Sequence, residues 1–174
     1  MNFQELYKTY NKQVYNLALH YVQNIEDAQE ITQDVFVSIH QSIDSFQKKS
    51  TLSTWIYRIT INKCLDFIKS KSRRNRVSFL TSLFTKDTKE VRFDHPNFDH
   101  PGVLMEQKEA LTKIFECINS LRTNQKTAII LSKIEKKNQQ EISEIMGLSI
   151  KAVESLIQRA KQNLADKLEL NEGK

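Results

Sequence analysis

The sequence predicts an all-α protein of two small helical domains joined by a flexible linker, the second domain carrying a helix-turn-helix. Three observations predict it. Apolar residues recur at helical spacing through most of the chain. Glycine and proline, which strands need for their turns, number only three and two in 174 residues. One central stretch, 73–103, lacks a sustained period and holds Pro96, Pro101 and Gly102, so it separates a domain at 1–72 from a domain at 104–174.

In the first domain, Phe3, Leu6, Tyr10, Val14, Leu17 and Tyr21 mark one face of a long helix. Ala28, Ile31, Val35, Ile39 and Ile43 mark a second. Glu26 and Asp27 stand near its positive end. A polar loop, Phe46 to Thr54, follows with Lys48 and Lys49. Trp55, Ile56, Ile59, Cys64, Phe67 and Ile68 mark a third helix. Seven basic and seven acidic residues leave residues 1–70 formally neutral. Next comes an acid-free basic run, Lys69, Lys71, Arg73, Arg74 and Arg76. Phe79, Leu80, Leu83 and Phe84 suggest a short amphipathic turn that packs locally.

The second domain starts with a helix at Leu104, Leu111, Phe115 and Ile118 and another at Ala128, Ile129, Leu131 and Ile134. Asn138 then caps a short helix, with Glu141 reaching back in a capping box. Ile142 and Ile145 give that helix an apolar edge. Gly147 supplies the positive φ that ends it, and Ser149 caps the next helix. Val153, Leu156, Ile157, Ala160 and Leu164 bury one face of this last helix. Lys151, Ser155, Gln158, Arg159 and Lys161 are left for a partner. Two helices across a tight turn, the second rich in donors, form a helix-turn-helix that fits the major groove. A plain helical hairpin is the simpler alternative.

The net charge is +5, and the sequence pI of about 9.1 suits a nucleic-acid partner. Cys64 and Cys117 lack metal-ligand spacing and read as thiols in a reducing compartment. No apolar run reaches the roughly 18 residues of a membrane span. These features lead to an expected cytoplasmic location. His95 and His100 flank Asn-Phe-Asp in the linker without a convergent ligand set, so no metal is expected. No glycine-rich phosphate loop appears, and no catalytic residues and no cofactor are expected.

Two stretches of the first domain suit binding. The loop and helix from Phe46 to Phe67 combine Trp55 with lysines, Arg58, Asn62, Lys63 and Asp66. Aromatic rings stack on unpaired bases, lysines follow phosphate, and an amide pairs with a base edge. On the plain reading, Trp55 anchors the core and the lysines are only solvated. Asp27, Glu30 and Asp34, with Gln33, form an acidic cluster on the second helix. It is either a wet face or a dock for a basic helix.

The segment Asp27 to Phe36, then Phe46, Thr54-Trp55-Ile56-Tyr57-Arg58-Ile59, Asn62 and Asp66, resembles region 2 of a bacterial RNA polymerase sigma factor. Its pattern and length resemble the extracytoplasmic-function (ECF) group of the sigma-70 family. Glu141 to Lys161 resembles region 4 of the same group. Leu156, Glu154 and Ser143 depart from that pattern. The resemblance implies a non-enzymatic factor that binds the β and β′ subunits of core RNA polymerase and promoter DNA. It implies no small-molecule substrate, and an anti-sigma factor is a frequent partner in the family. Asp27, Gln33, Asp34 and Phe36 would meet polymerase. Phe46, Lys48, Lys49, Ser50, Thr54, Trp55, Arg58 and Asn62 would serve the minus-ten element, the loop holding an extruded base. Lys151, Ser155, Gln158, Arg159 and Lys161 would read the minus-thirty-five element.

Two rivals stand against this. A helix-turn-helix repressor or activator without a sigma role leaves the first 70 residues unexplained and normally dimerises. A recombinase or nuclease needs clustered carboxylates around metal, for which Asp27, Glu30 and Asp34 are the only candidates. From residue 104 on, twelve Lys or Arg nearly balance ten Asp or Glu. Weak duplex binding by the chain alone is therefore expected.

Overall fold

The computed structural model describes the backbone of residues 2–84 and 105–172, and side chains over 2–76 and 110–168. The elements are helices: α1 (Phe3–Val22), α2 (Ile25–Ser42), α3 (Leu52–Phe84), α4 (Met105–Asn119), α5 (Thr123–Ile129), α6 (Gln139–Met146) and α7 (Ile150–Glu172). One 3-10 turn, Ile43–Ser45, follows α2, and a π turn, Ile130–Ile134, follows α5.

Helices α1, α2 and α3 pack on one another as the first domain. The asparagine side chains Asn2 and Asn24 cap α1 and α2, accepting from the backbone N–H of Gln4 and Asp27. The predicted faces are the buried ones: Leu6, Val14, Leu17 and Tyr21 from α1, and Ala28, Ile31, Val35 and Ile39 from α2. On α3 the buried set is Thr54, Ile56, Tyr57, Thr60, Ile61 and Cys64, while Trp55, Ile59, Phe67 and Ile68 pack partly buried around it. Burial pushes the Cys64 thiol up to about 12, so it stays an inert thiol.

Helix α3 differs from the expected boundary. It stays helical to Phe84, twelve residues past a domain end at 72. The physical reason is composition. The run Lys69 to Arg76 has no glycine or proline, and Lys and Arg are good helix formers. The first proline is Pro96. The Phe79–Phe84 side chains, His95 and His100 lie outside the described residues.

In the second domain α7 packs along α5 and α6. Its core is Phe115, Ile118, Leu121, Ala128 to Leu131, Ile142, Ile145, Val153, Ile157 and Ala160. The π turn widens the end of α5: Glu135 N–H donates to the Ile130 carbonyl, five residues back, at 3.0 Å.

The two domains pack against each other. The end of α1 and the middle of α3 meet α5, the π turn and α6. Lys126 is buried here. Its Nζ donates to the Tyr21 carbonyl at 3.0 Å and to Asn119 Oδ1 at 2.7 Å. Burial lowers its pKa to about 8.

Candidate nucleic-acid interface

The helix-turn-helix folds as its sequence dictates. Asn138 Oδ1 accepts from Glu141 N–H at 2.9 Å, and the Glu141 carboxylate accepts from Asn138 N–H at 2.9 Å. The backbone N–H of Asn138, followed by Lys137, holds the Glu141 carboxyl below its ordinary pKa. Gly147 ends α6 at φ +66°, and its N–H donates to the Ser143 carbonyl. The departure at Ser143 has a use. Its hydroxyl donates to the Leu148 carbonyl at 2.6 Å and ties the turn shut. Ser149 Oγ accepts from Ala152 N–H at 3.2 Å and starts α7.

Val153, Ile157 and Ala160 are buried on α7, with Leu156 partly buried on the same side. Lys151, Gln158, Arg159 and Lys161 are exposed, and Ser155 is half-buried beside them. The predicted recognition residues therefore share the solvent side of α7. Glu154 is exposed too and sets one negative charge among them.

The loop between the 3-10 turn and α3 encloses an open cavity of about 600 Å³, lined by Ile43, Asp44, Phe46, Lys48, Ser50 and Leu52. Three of these, Ile43, Asp44 and Leu52, were not among the predicted site residues. Ile43 and Leu52 look like core residues in sequence, and Asp44 has no distinguishing pattern. Trp55 packs on Phe46 at a centroid distance of 5.0 Å and a 37° tilt. Trp55 thus braces the ring that lines the cavity. Thr54 is buried, and its hydroxyl lies 2.9 Å from Thr51 Oγ1, which also accepts from Thr54 N–H at 3.1 Å. This pair caps α3 and fixes the loop's return. Lys48 adopts φ +55°, a strained conformation for a side-chain-bearing residue. Lys49 is exposed beside it.

Arg58 and Asn62 are exposed one helical turn apart on α3. They share a face that continues into the basic end of the helix. Arg58 is engaged here: its Nε donates to the Glu144 carbonyl of α6 at 3.1 Å.

On α2, Gln33 and Asp34 are exposed, with Val37 (54% exposed) one turn on. Phe36 is 4% exposed and packs against Phe3 and Tyr7, so its ring supports the helix from within. Asp27 accepts from Lys71 Nζ at 2.7 Å, an ion pair that joins α2 to α3. Its carboxylate is committed inside the domain. A second open cavity, about 670 Å³, lies between α1 and α2, lined by Tyr7, Asn11, Lys12, Tyr15, Gln29, Thr32 and Gln33.

A helix-turn-helix with a solvent-facing basic row, coupled to a second helical module with a basic loop pocket, defines a two-module DNA-binding factor. Comparison with known proteins agrees and is narrower. Residues 6–74 match the family model described as Sigma-70 region 2, and residues 111–164 match Sigma-70, region 4. The ECF RNA polymerase sigma-E factor of Haemophilus influenzae is 28% identical over 96% of this chain and 87% of its own length. That of Escherichia coli K12 is 27% identical over 96% and 86%. The fold resembles the sigma factor RpoE of Bartonella quintana, solved with the anti-sigma factor NepR. That match has a TM-score of 0.67, with 22% identity over 96% of both chains. CnrH, solved with the cytosolic domain of CnrY, gives a TM-score of 0.66 at 23% identity over 97% of this chain and 88% of its own. The chain belongs to the sigma-70 family, as a member of its ECF group. It is an RNA polymerase sigma factor that directs transcription initiation.

Proposed function

We propose the following division of labour. Residues 1–72 dock on core polymerase through the α2 face of Gln33 and Asp34, extended by Val37, and open the minus-ten element through the loop pocket. Residues 104–174 read the minus-thirty-five element with Lys151, Ser155, Gln158, Arg159 and Lys161. Residues 73–103 join the two. The observation that carries this reading is the loop cavity. It is large enough for an unstacked base, lined by the aromatic ring of Phe46 and edged by Lys48 and Ser50. Extruding a base costs a few kcal/mol, which stacking and edge hydrogen bonds offset. Asn62 lies on the same helix as Trp55 and completes the contact set. Asp27, Phe36, Thr54 and Trp55 hold this geometry from behind rather than touching the partner.

The protein carries out no chemistry of its own and works in the cytoplasm, where its polymerase is. No helix among the described residues is long and apolar enough to cross a membrane. The structural neighbour RpoE, solved with an anti-sigma factor, supports an anti-sigma factor for this chain as well. Run-off transcription with core polymerase on genomic fragments tests the reading. Discrete transcripts that depend on this chain are expected. No transcripts at any fragment, with a folded chain and active core, would overturn it.

A further inference from the structure

The second helix of the helix-turn-helix carries one carboxylate that nothing in the chain holds. Over residues 139–168 every other acid is tied to the side chain four positions before it. Glu141 accepts from Lys137 Nζ at 3.0 Å, Glu144 from Gln140 Nε2 at 2.9 Å, and Asp166 from Gln162 Nε2 at 2.8 Å. Glu154 has Ile150 in that place, which offers no donor. Among the described residues, Glu154 therefore has no hydrogen-bond or ion-pair partner. It stands exposed in the second turn of α7, within the N-terminal part of a recognition helix that reaches base edges.

Ile150 is the odd apolar residue of the same turns. Val153 and Ile157 are buried and Leu156 is partly buried, yet Ile150 is 43% exposed. The spacing joins it to Glu154. Ile150, Glu154 and Gln158 recur every four residues and are all exposed, so they form one row along α7. Lys151, Ser155 and Arg159 form the adjacent row, which holds the donors that suit phosphate.

The first row suits bases and not phosphate. A phosphate repels a carboxylate, gains nothing from a methyl group, and offers only acceptors. The major groove offers what each side chain needs. Thymine presents a methyl group to an apolar contact. Cytosine presents the N4 amino group, a donor for a carboxylate. Adenine presents N6 and N7, the donor–acceptor pair that a glutamine amide matches. Adenine N6 is a donor too, but N7 beside it repels the second carboxylate oxygen. Cytosine has no acceptor on its own groove edge.

We propose that Ile150, Glu154 and Gln158 form a base-reading row that makes the upstream element specific for a cytosine, read by Glu154, between a thymine read by Ile150 and an adenine read by Gln158. This rests on the second domain reading the minus-thirty-five element and names the bases it selects. Four helical steps of about 1.5 Å separate neighbours in the row, so they reach base pairs about one or two steps of 3.4 Å apart.

The test uses the full chain with core polymerase on a promoter recovered by genomic run-off, its upstream element randomised. A barcode in the transcribed part of each template lets transcript sequencing score every upstream sequence. The three side chains are exposed, so Glu154→Gln, Ile150→Ala and Gln158→Ala should keep the parent's helical circular dichroism. In the parent, cytosine should be enriched roughly tenfold at one position. Glu154→Gln should convert that preference to adenine at the same position and leave the others unchanged. Ile150→Ala should lose a thymine preference of roughly fourfold on one side of it, the value of one buried methyl group. Gln158→Ala should lose the adenine preference on the other side. A parent without the cytosine preference, or a Glu154→Gln variant that keeps it, overturns the proposal. So does a Glu154→Gln variant that raises transcription equally on every template, because the carboxylate then faces phosphate. If the parent shows no base preference anywhere in the element, and Lys151→Ala leaves the profile equally flat, the upstream-reading role of the second domain fails and the base row falls with it.

Discussion

Lys126 makes stability depend on pH in an unusual direction. Its folded pKa is about 8 against an ordinary 10.5. The lowering is worth about 3 kcal/mol at roughly 1.4 kcal/mol per unit, so carrying the charge into the fold costs about that much below pH 8. Between pH 8 and 10.5 the unfolded chain keeps the proton that the folded chain has released. Stability rises wherever the unfolded state binds more protons. Cys64 works the other way. Its folded pKa is about 12 against 9.0, so above pH 9 the unfolded thiol ionises while the folded one does not. The two slopes oppose each other from pH 9 to 10.5. The net rise is confined to pH 8–9, about 1 kcal/mol, followed by a plateau to about pH 10, above which stability falls because burial keeps the Tyr21 and Tyr57 hydroxyls protonated in the fold while they ionise in the unfolded chain. Urea unfolding would show this as a midpoint about 0.5 M higher at pH 9 than at pH 8, for a slope near 2 kcal/mol per M. Lys126→Met should abolish the rise. At pH 7 it should leave stability nearly unchanged, because losing the bonds to Tyr21 and Asn119 offsets the removed desolvation. Cys64→Ala should extend the rise toward about pH 10, where Tyr21 and Tyr57 begin to oppose it. A parent midpoint that is flat or falling between pH 8 and 9, or a Lys126→Met variant that keeps the rise, would refute the assignment.

Asn138→Ala removes one half of the capping box and should lower stability by about 1 kcal/mol in thermal melts. The Glu141 half, whose carboxyl is held below its ordinary pKa, should be present at neutral pH and fade as pH falls below about 4.5. Lys151→Ala and Arg159→Ala should stay within about 0.5 kcal/mol of parent stability while reducing abortive transcription on templates that carry the upstream element. Equal losses on templates without that element would remove them from DNA reading. Ile157→Asp should unfold the second domain by burying an unpaired charge, seen as lost helical circular dichroism. Asn62→Ala should reduce permanganate reactivity of the opened strand and leave polymerase binding intact, a loss of about 1–3 kcal/mol for one base-edge contact.

The helix-turn-helix was legible because every signal in it is local. Asn138 with Glu141, Gly147, and Ser149 each act within a few residues, and the 3.6-residue period sorts Val153 and Ile157 inward from Lys151 and Arg159 outward. The faces of α1 and α2 were legible for the same reason. Phe36 was misleading, since its neighbours Gln33 and Asp34 are exposed while its ring is buried against Phe3. Helical period placed Val35 inward but could not show that α1 also covers the adjacent strip. Trp55 fell between its two readings, braced on the core yet stacked on the ring that lines the pocket. The domain end was placed before the end of α3 because the apolar period lapses there, whereas lysine and arginine extend a helix when no breaker follows.

The interface between domains left no trace in the sequence, and its chemistry explains why. Tyr21 meets Thr127 across 106 positions and His20 meets Glu135 across 115. Each partner alone looks like an ordinary helix-face polar residue. Arg58 shows the consequence most clearly, since the features that suit it to phosphate, a planar cation on an exposed face, also suit it to an orphan helix carbonyl. Apolar patterning specifies each module without reference to the other. The join adds hydrogen bonds to side chains and helix ends at the edge of an apolar core that runs through both modules. The helical period tells which residues face inward, not which module they meet.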